Sequence, residues 1–107
     1  MSNADEPVVV VAFIPAKEGQ LDALVDAFTG VSAAVHQEEG CLLYSAHRSD
    51  DSLVVIEKWA NAAAIDAHGK GDAMKALGSA IGPYVGGRPA IHRLAAVPAG
   101  DATKGSL

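Results

Sequence analysis

Little in this chain could staple it, hold a metal or cross a bilayer. A single cysteine, Cys41, among 107 residues excludes an internal disulfide, and no group of Cys and His has the spacing of a zinc site. Packing must therefore carry the stability. Positive charge is scarce: 8 Lys and Arg stand against 13 Asp and Glu, for a formal charge of −5. With no basic run anywhere, nucleic acid is not an expected partner. The longest apolar run, Val8 to Ile14, falls far short of the roughly 20 residues that a membrane helix needs. No basic start leads into a signal-type segment, and together these absences predict a cytoplasmic protein. What the chain does have is hydrophobicity. Half of its residues are hydrophobic, enough for one modest core, and the length leaves no room for a second domain.

The first seven residues, MSNADEP, are polar, and Ser2-Asn3-Ala4 reads as a leftover of expression. The domain is placed at 8–97, with 1–7 and 98–107 as flexible termini. Val8 to Ile14 is β-branched and stopped by Pro15, the pattern of a strand. From Glu18 to Glu39 the residues Leu21, Leu24, Val25, Phe28, Val31 and Val35 recur at three- and four-residue steps, as on one face of a helix, which Gly40 closes. Cys41 to Arg48 alternates loosely, Ser49-Asp50-Asp51-Ser52 is dense in turn formers, and Leu53 to Trp59 is again β-rich, so the two runs predict a hairpin. Asn61 is a good N-cap for a helix through His68. Gly69-Lys70-Gly71 then interrupts it, before Asp72 caps a second piece carrying Met74, Leu77 and Ile81. Pro89 to Val97 gives a last strand.

Strand, helix, strand, strand, broken helix, strand is the split βαβ order of α+β, ferredoxin-like domains with an antiparallel sheet. Two helices cover one face of such a sheet. Val8 to Ile14 and Leu53 to Ile56 carry apolar residues on both faces, because successive side chains point opposite ways. The economical cover for the second face is another copy, so a homodimer is expected.

Glu39-Gly40-Cys41-Leu42-Leu43-Tyr44 and then Glu57-Lys58-Trp59, followed by a helix that reaches His68, resemble the antibiotic biosynthesis monooxygenase family. The resemblance spans roughly Val8 to Leu94 and includes the element order. It implies a dimeric α/β barrel of two ferredoxin-like domains. It also implies oxidation of a quinol or other electron-rich aromatic by molecular oxygen without a cofactor; other members degrade haem. This chain departs from both kinds of member. Quinol-oxidising members often place an Asn on the strand ahead of the Trp, where this chain reads Leu53-Val54-Val55-Ile56. Haem-degrading members use an Asn on the first strand, which is wholly apolar here.

Each candidate residue carries a plain reading beside a functional one. Trp59, on the face shared by Val55 and Glu57, is either a core aromatic or the wall of a substrate pocket. His68 lies three residues after Ile65 and shares its inward face; it is either a satisfied structural histidine or a general base for a phenol. The two are expected to face one cavity, with Gly69-Lys70-Gly71 as its flexible mouth. Tyr44 and Tyr84 are packing residues or substrate contacts. Glu57 is expected in an ion pair with Arg48, Arg88 or Arg93, with a base in a cavity as its other reading. His36 ends a helix, where a cation is favourable, while His47 and His92 read as solvated. Cys41 reads as an inert small hydrophobe. No glycine-rich phosphate loop follows a strand, so no nucleotide site is expected. The catalytic candidates are therefore His68 and Trp59, and the substrate-binding candidates Tyr44, Trp59 and Tyr84, with no metal and no cofactor. The partner is a small aromatic or apolar molecule. The alternatives are a non-enzymatic dimeric module that binds an apolar small molecule, and a haem-binding or haem-degrading protein.

Overall fold

The computed structural model describes residues 5–107, so the expected scar at 2–4 lies outside the described residues. Strand β1 (Val8–Pro15) leads into helix α1 (Leu21–His36), followed by the hairpin β2 (Cys41–Arg48) and β3 (Ser52–Trp59). Helices α2 (Ala62–Lys70) and α3 (Asp72–Ile81) follow, then a single 3-10 turn (Gly82–Tyr84) and strand β4 (Ala90–Leu94). The sheet order is β2-β3-β1-β4, with every neighbouring pair antiparallel. This is the ferredoxin-like arrangement.

The apolar stripe of α1 places Leu24, Phe28 and Val35 fully in the core. They meet Val10, Ala12 and Ile14 of β1 and Leu53, Val55 and Trp59 of β3, which all point to the helical side. Ile65, Leu77 and Ile81 close the layer from α2 and α3. The helix contains the whole apolar series but is shorter than the 18–39 span, because Glu38 and Glu39 belong to the turn that delivers the chain to β2. Gly40 sits in that turn at φ +82, a left-handed conformation that glycine adopts without strain. A side chain there would also strike Ala64, whose Cβ lies 2.5 Å from where a Cβ would stand. The turn and α2 are thus seated directly on one another.

Asn61 caps α2 as expected, its Oδ1 accepting the Ala64 N–H at 2.9 Å. The helix break is narrower than the glycines suggest. Gly69 and Lys70 stay helical, only Gly71 leaves the helix, and Asp72 is the first residue of α3 rather than its cap. The last strand ends at Leu94 instead of Val97, at one edge of the sheet, and all five of its residues are exposed.

Strand β2 carries a bulge. Cys41 pairs with Trp59 and Leu43 with Lys58, so Leu42 is an extra residue opposite that pair. Directly paired residues share a face, and Cys41 and Tyr44 therefore both look toward the helices although they stand three apart. On the opposite face lie Val9, Val11, Phe13, Val54 and Ile56, with Phe13 43% exposed. The stretch after β4 turns back along this face. Asp101 organises its turn by accepting the N–H groups of Thr103 and Lys104, and Lys58 Nζ donates to the Leu107 carbonyl at 2.8 Å. That stretch encloses a hollow of about 380 Å³ whose wall includes Val9 and Leu94.

Candidate functional site

Register alone assembles the site. Tyr44 lies opposite Glu57, and Cys41 opposite Trp59, so four side chains from the β2–β3 hairpin project together beneath the start of α2. From above, α2 lowers Ile65 and His68, which fall one turn apart on its buried face. The last participant is Glu38, supplied by the turn after α1.

The indole of Trp59 is wholly buried, and its ring centroid lies 4.5 Å from that of His68. The two rings expected to face one cavity are in direct contact instead. On its other side the imidazole meets the ring of Tyr44 edge-on at 5.8 Å, and Tyr44 in turn stacks on Phe28 at 5.3 Å. The imidazole is held in place by polar contact as well: its Nδ1 lies 2.6 Å from Oε1 of Glu38. Among the described residues every fully buried side-chain nitrogen and oxygen has a hydrogen-bond partner. His68 Nε2 and Tyr44 Oη have none, so neither atom is fully enclosed, although His68 is only 5% and Tyr44 only 7% exposed. An open hollow of about 430 Å³ runs along the outer edge of β2, lined by His36, Cys41, Leu42, Leu43, Tyr44 and Ser45.

Glu57 overturns its expected role. Arg48 is paired with Asp22 and Arg93 with Asp66, both at the surface. Glu57 points inward and accepts the Trp59 Nε1–H at 2.9 Å. Alternation along β3 places it between Val55 and Trp59 in the buried row; Arg93 stands in line with it across Val10 but is engaged by Asp66. Burial raises its carboxyl above the usual carboxylate range, against smaller lowering effects from the indole hydrogen bond and from His68. A group whose folded pKa is raised contributes stability below its unfolded pKa and loses it as pH climbs through the folded value. Glu57→Gln, which keeps an oxygen for the indole, is therefore expected to gain melting temperature over the unaltered protein at pH 8, with the gain shrinking toward pH 4. Melting curves at the two pH values check this, and an equal gap at both would refute it.

Burial likewise raises the Tyr44 phenol, with Glu57 and Glu38 adding to the shift, and the Cys41 thiol is raised for the same reasons. Neither group is set up to act as an anion. Tyr84 does not join the cluster. It lies in the 3-10 turn whose carbonyl accepts the Lys17 N–H, beside the Pro15 end of β1, whereas Trp59 pairs with Val8. The length of β1 between those ends is roughly 23 Å at 3.3 Å per residue, and this separation keeps Tyr84 apart from Trp59 and His68. His36 does end α1, with Nε2 3.0 Å from the Tyr44 carbonyl. The sequence pattern does not reveal Glu38, and only the length of α1 could expose it as a turn residue.

The model of the family described as antibiotic biosynthesis monooxygenase matches residues 7–78. Among solved structures, a Caulobacter crescentus protein provisionally named an antibiotic biosynthesis monooxygenase is 33% identical, covering 88% of this chain and 92% of that one, with a TM-score of 0.80. Proteins from Pseudomonas aeruginosa (22% identity, 90% and 99% coverage, TM-score 0.77) and Mycobacterium tuberculosis (22%, 91% and 99%, 0.76) share the fold. No curated protein matches the sequence. The family match over most of the chain and the one-third identity to the Caulobacter protein lead to one conclusion: the chain belongs to the antibiotic biosynthesis monooxygenase family.

Proposed function

We propose that this protein is a monooxygenase that needs no cofactor and oxidises a quinol or other electron-rich aromatic molecule with molecular oxygen. The observation that carries the reading is the imidazole of His68, in ring contact with both Trp59 and Tyr44 and tied at Nδ1, with Nε2 left without a hydrogen-bond partner. A phenol laid against Tyr44 gives its proton to Nε2. The resulting anion passes one electron to oxygen, the radical pair joins at a ring carbon as a peroxide anion, and the protonated imidazole returns its proton to give the hydroperoxide. Loss of water then leaves the quinone, so one oxygen atom enters the product and the other enters water. The protein's part is a base, a fixed orientation and a dry surround.

The test is oxygen uptake with a panel of quinols and hydroxylated polycyclic aromatics in the absence of added metal. Uptake matched by quinone formation is the expected result. A second reading, a non-enzymatic module for an apolar ligand, draws on the complete burial of Trp59 and its close contact with His68. No uptake, together with quenching of Trp59 fluorescence by apolar ligands, would favour it. A Soret band on adding haem would point instead to haem binding.

We also infer that the working form is a homodimer joined through the sheet face that carries Val11, Phe13, Val54 and Ile56, a patch of the kind that promotes association. Sedimentation equilibrium at micromolar concentration is expected to give a dimer, and Phe13→Glu a monomer. A monomeric unaltered protein would rule this out. Among the described residues no helix is long and apolar enough to cross a membrane.

A further inference from the structure

We propose that Glu38 is the positioning residue for His68, and that Gly71 is glycine in order to leave space for the Glu38 carboxylate. The catalytic consequence rests on reading His68 as the base; the positioning itself stands on geometry alone.

Glu38 is anchored before its side chain does anything. Its N–H donates to the Val35 carbonyl at 3.0 Å and its own carbonyl accepts from Cys41 at 3.2 Å, so the backbone is fixed both to the end of α1 and to the start of β2. From there the side chain crosses to a residue 30 positions later and brings Oε1 within 2.6 Å of His68 Nδ1. The contact is sheltered: the His68 side chain is 6% exposed and that of Glu38 21%. A carboxylate has only lone pairs to offer, so Nδ1 must carry the proton. In the neutral ring Nε2 then holds the free lone pair, and Nε2 is the nitrogen left without a hydrogen-bond partner. Charge-assisted bonds of this length are among the stronger hydrogen bonds, and they fix ring orientation as well as tautomer.

The second carboxylate oxygen explains the helix break. Gly71 has φ −82 and ψ 168, a conformation open to any residue, so backbone freedom is not the reason for a glycine. A Cβ at that position would stand 2.9 Å from Glu38 Oε2 and 3.3 Å from the Ala67 carbonyl oxygen. Gly71 also donates its N–H to the His68 carbonyl, which joins the break, the carboxylate and the imidazole in one unit. An alanine there pushes mainly on the free end of a flexible side chain. The fold should tolerate that; the placement of Glu38 should not.

The test reads the tautomer directly. Full-length protein labelled with ring-¹⁵N histidine is examined at pH 8 by two-bond proton–nitrogen correlation, the His68 signals being those lost in His68→Gln. The unaltered protein is expected to show protonated Nδ1 and bare Nε2. In Glu38→Leu the Nε2–H form, which free histidine favours in water, is expected to take over, and Gly71→Ala should move the signals the same way while melting cooperatively. An Nε2–H form in the unaltered protein, or an unchanged tautomer in Glu38→Leu, overturns the proposal. An unchanged tautomer in Gly71→Ala overturns the part given to Gly71. With a quinol that the protein oxidises, Glu38→Gln should lower kcat by about tenfold or more at constant KM, a share of the roughly 10²- to 10⁴-fold that a general base supplies. If no quinol is oxidised, the proposed reaction fails while the spectra still decide the role of Glu38.

Discussion

Replacing His68 with alanine is expected to cut oxygen uptake by about a hundredfold or more, the usual scale for a lost general base. The imidazole lies against Tyr44, where it can take the proton of a phenol, whereas Glu57 Oε1 is already engaged by the indole. The substitution also carries a structural cost. It opens a gap beside Trp59 and frees Glu38 from its partner, which together should cost about 1–3 kcal/mol. Turnover must therefore be read well below the melting temperature of the variant, with melting curves and oxygen uptake measured on the same preparation. Unchanged turnover in folded His68→Ala would remove His68 from the mechanism, whereas loss of stability alone would reduce it to a packing residue.

Trp59→Ala should be the most damaging single change to the fold. Its side chain is fully enclosed by core neighbours, and removing a buried aromatic of this size costs about 3–5 kcal/mol. For a domain of this length that corresponds to a fall of roughly 15–25 °C in melting temperature. Trp59→Phe separates two contributions. It refills most of the volume but leaves the Glu57 carboxyl without its donor, at a cost of about 1–3 kcal/mol. Calorimetry on both variants checks the order; a loss under about 1 kcal/mol in Trp59→Ala would mean that the indole lines an opening rather than fills a core.

The fold is legible in the amino-acid sequence because its strongest signals are periodic. The spacing of Leu24, Phe28 and Val35 fits only a helix, and the alternation ending in Glu57 and Trp59 puts both on one row of β3, the buried one. Counting from Ile65 finds His68 in the same way. What cannot be counted is the partner of each polar group. Glu57 reads as half of an ion pair because arginines are at hand in the sequence, but the partner each group takes is set by tertiary packing: Arg93 shares a row with Glu57 and still pairs with Asp66 from α2. Glu38 escapes notice because a glutamate at the end of an amphipathic helix is usually a solvated residue. Tyr84 is misplaced for a related reason: nothing in its neighbourhood says which end of β1 it meets. The loose alternation of Cys41 to Arg48 is a real signal of the bulge at Leu42, although a single extra residue has no composition of its own.

That extra residue makes the hairpin a matter of odd and even. Cys41 and Tyr44 are an odd step apart, yet they look the same way because Leu42 is spent without advancing the alternation. A one-codon deletion at Leu42 would therefore close the bulge and leave Cys41 opposite Trp59, Leu43 opposite Lys58 and Tyr44 opposite Glu57 in an unbroken ladder. Both inward contacts survive the loss of that one residue. A relative that is one residue shorter at this point can thus hold its phenol on the same face, by the same route.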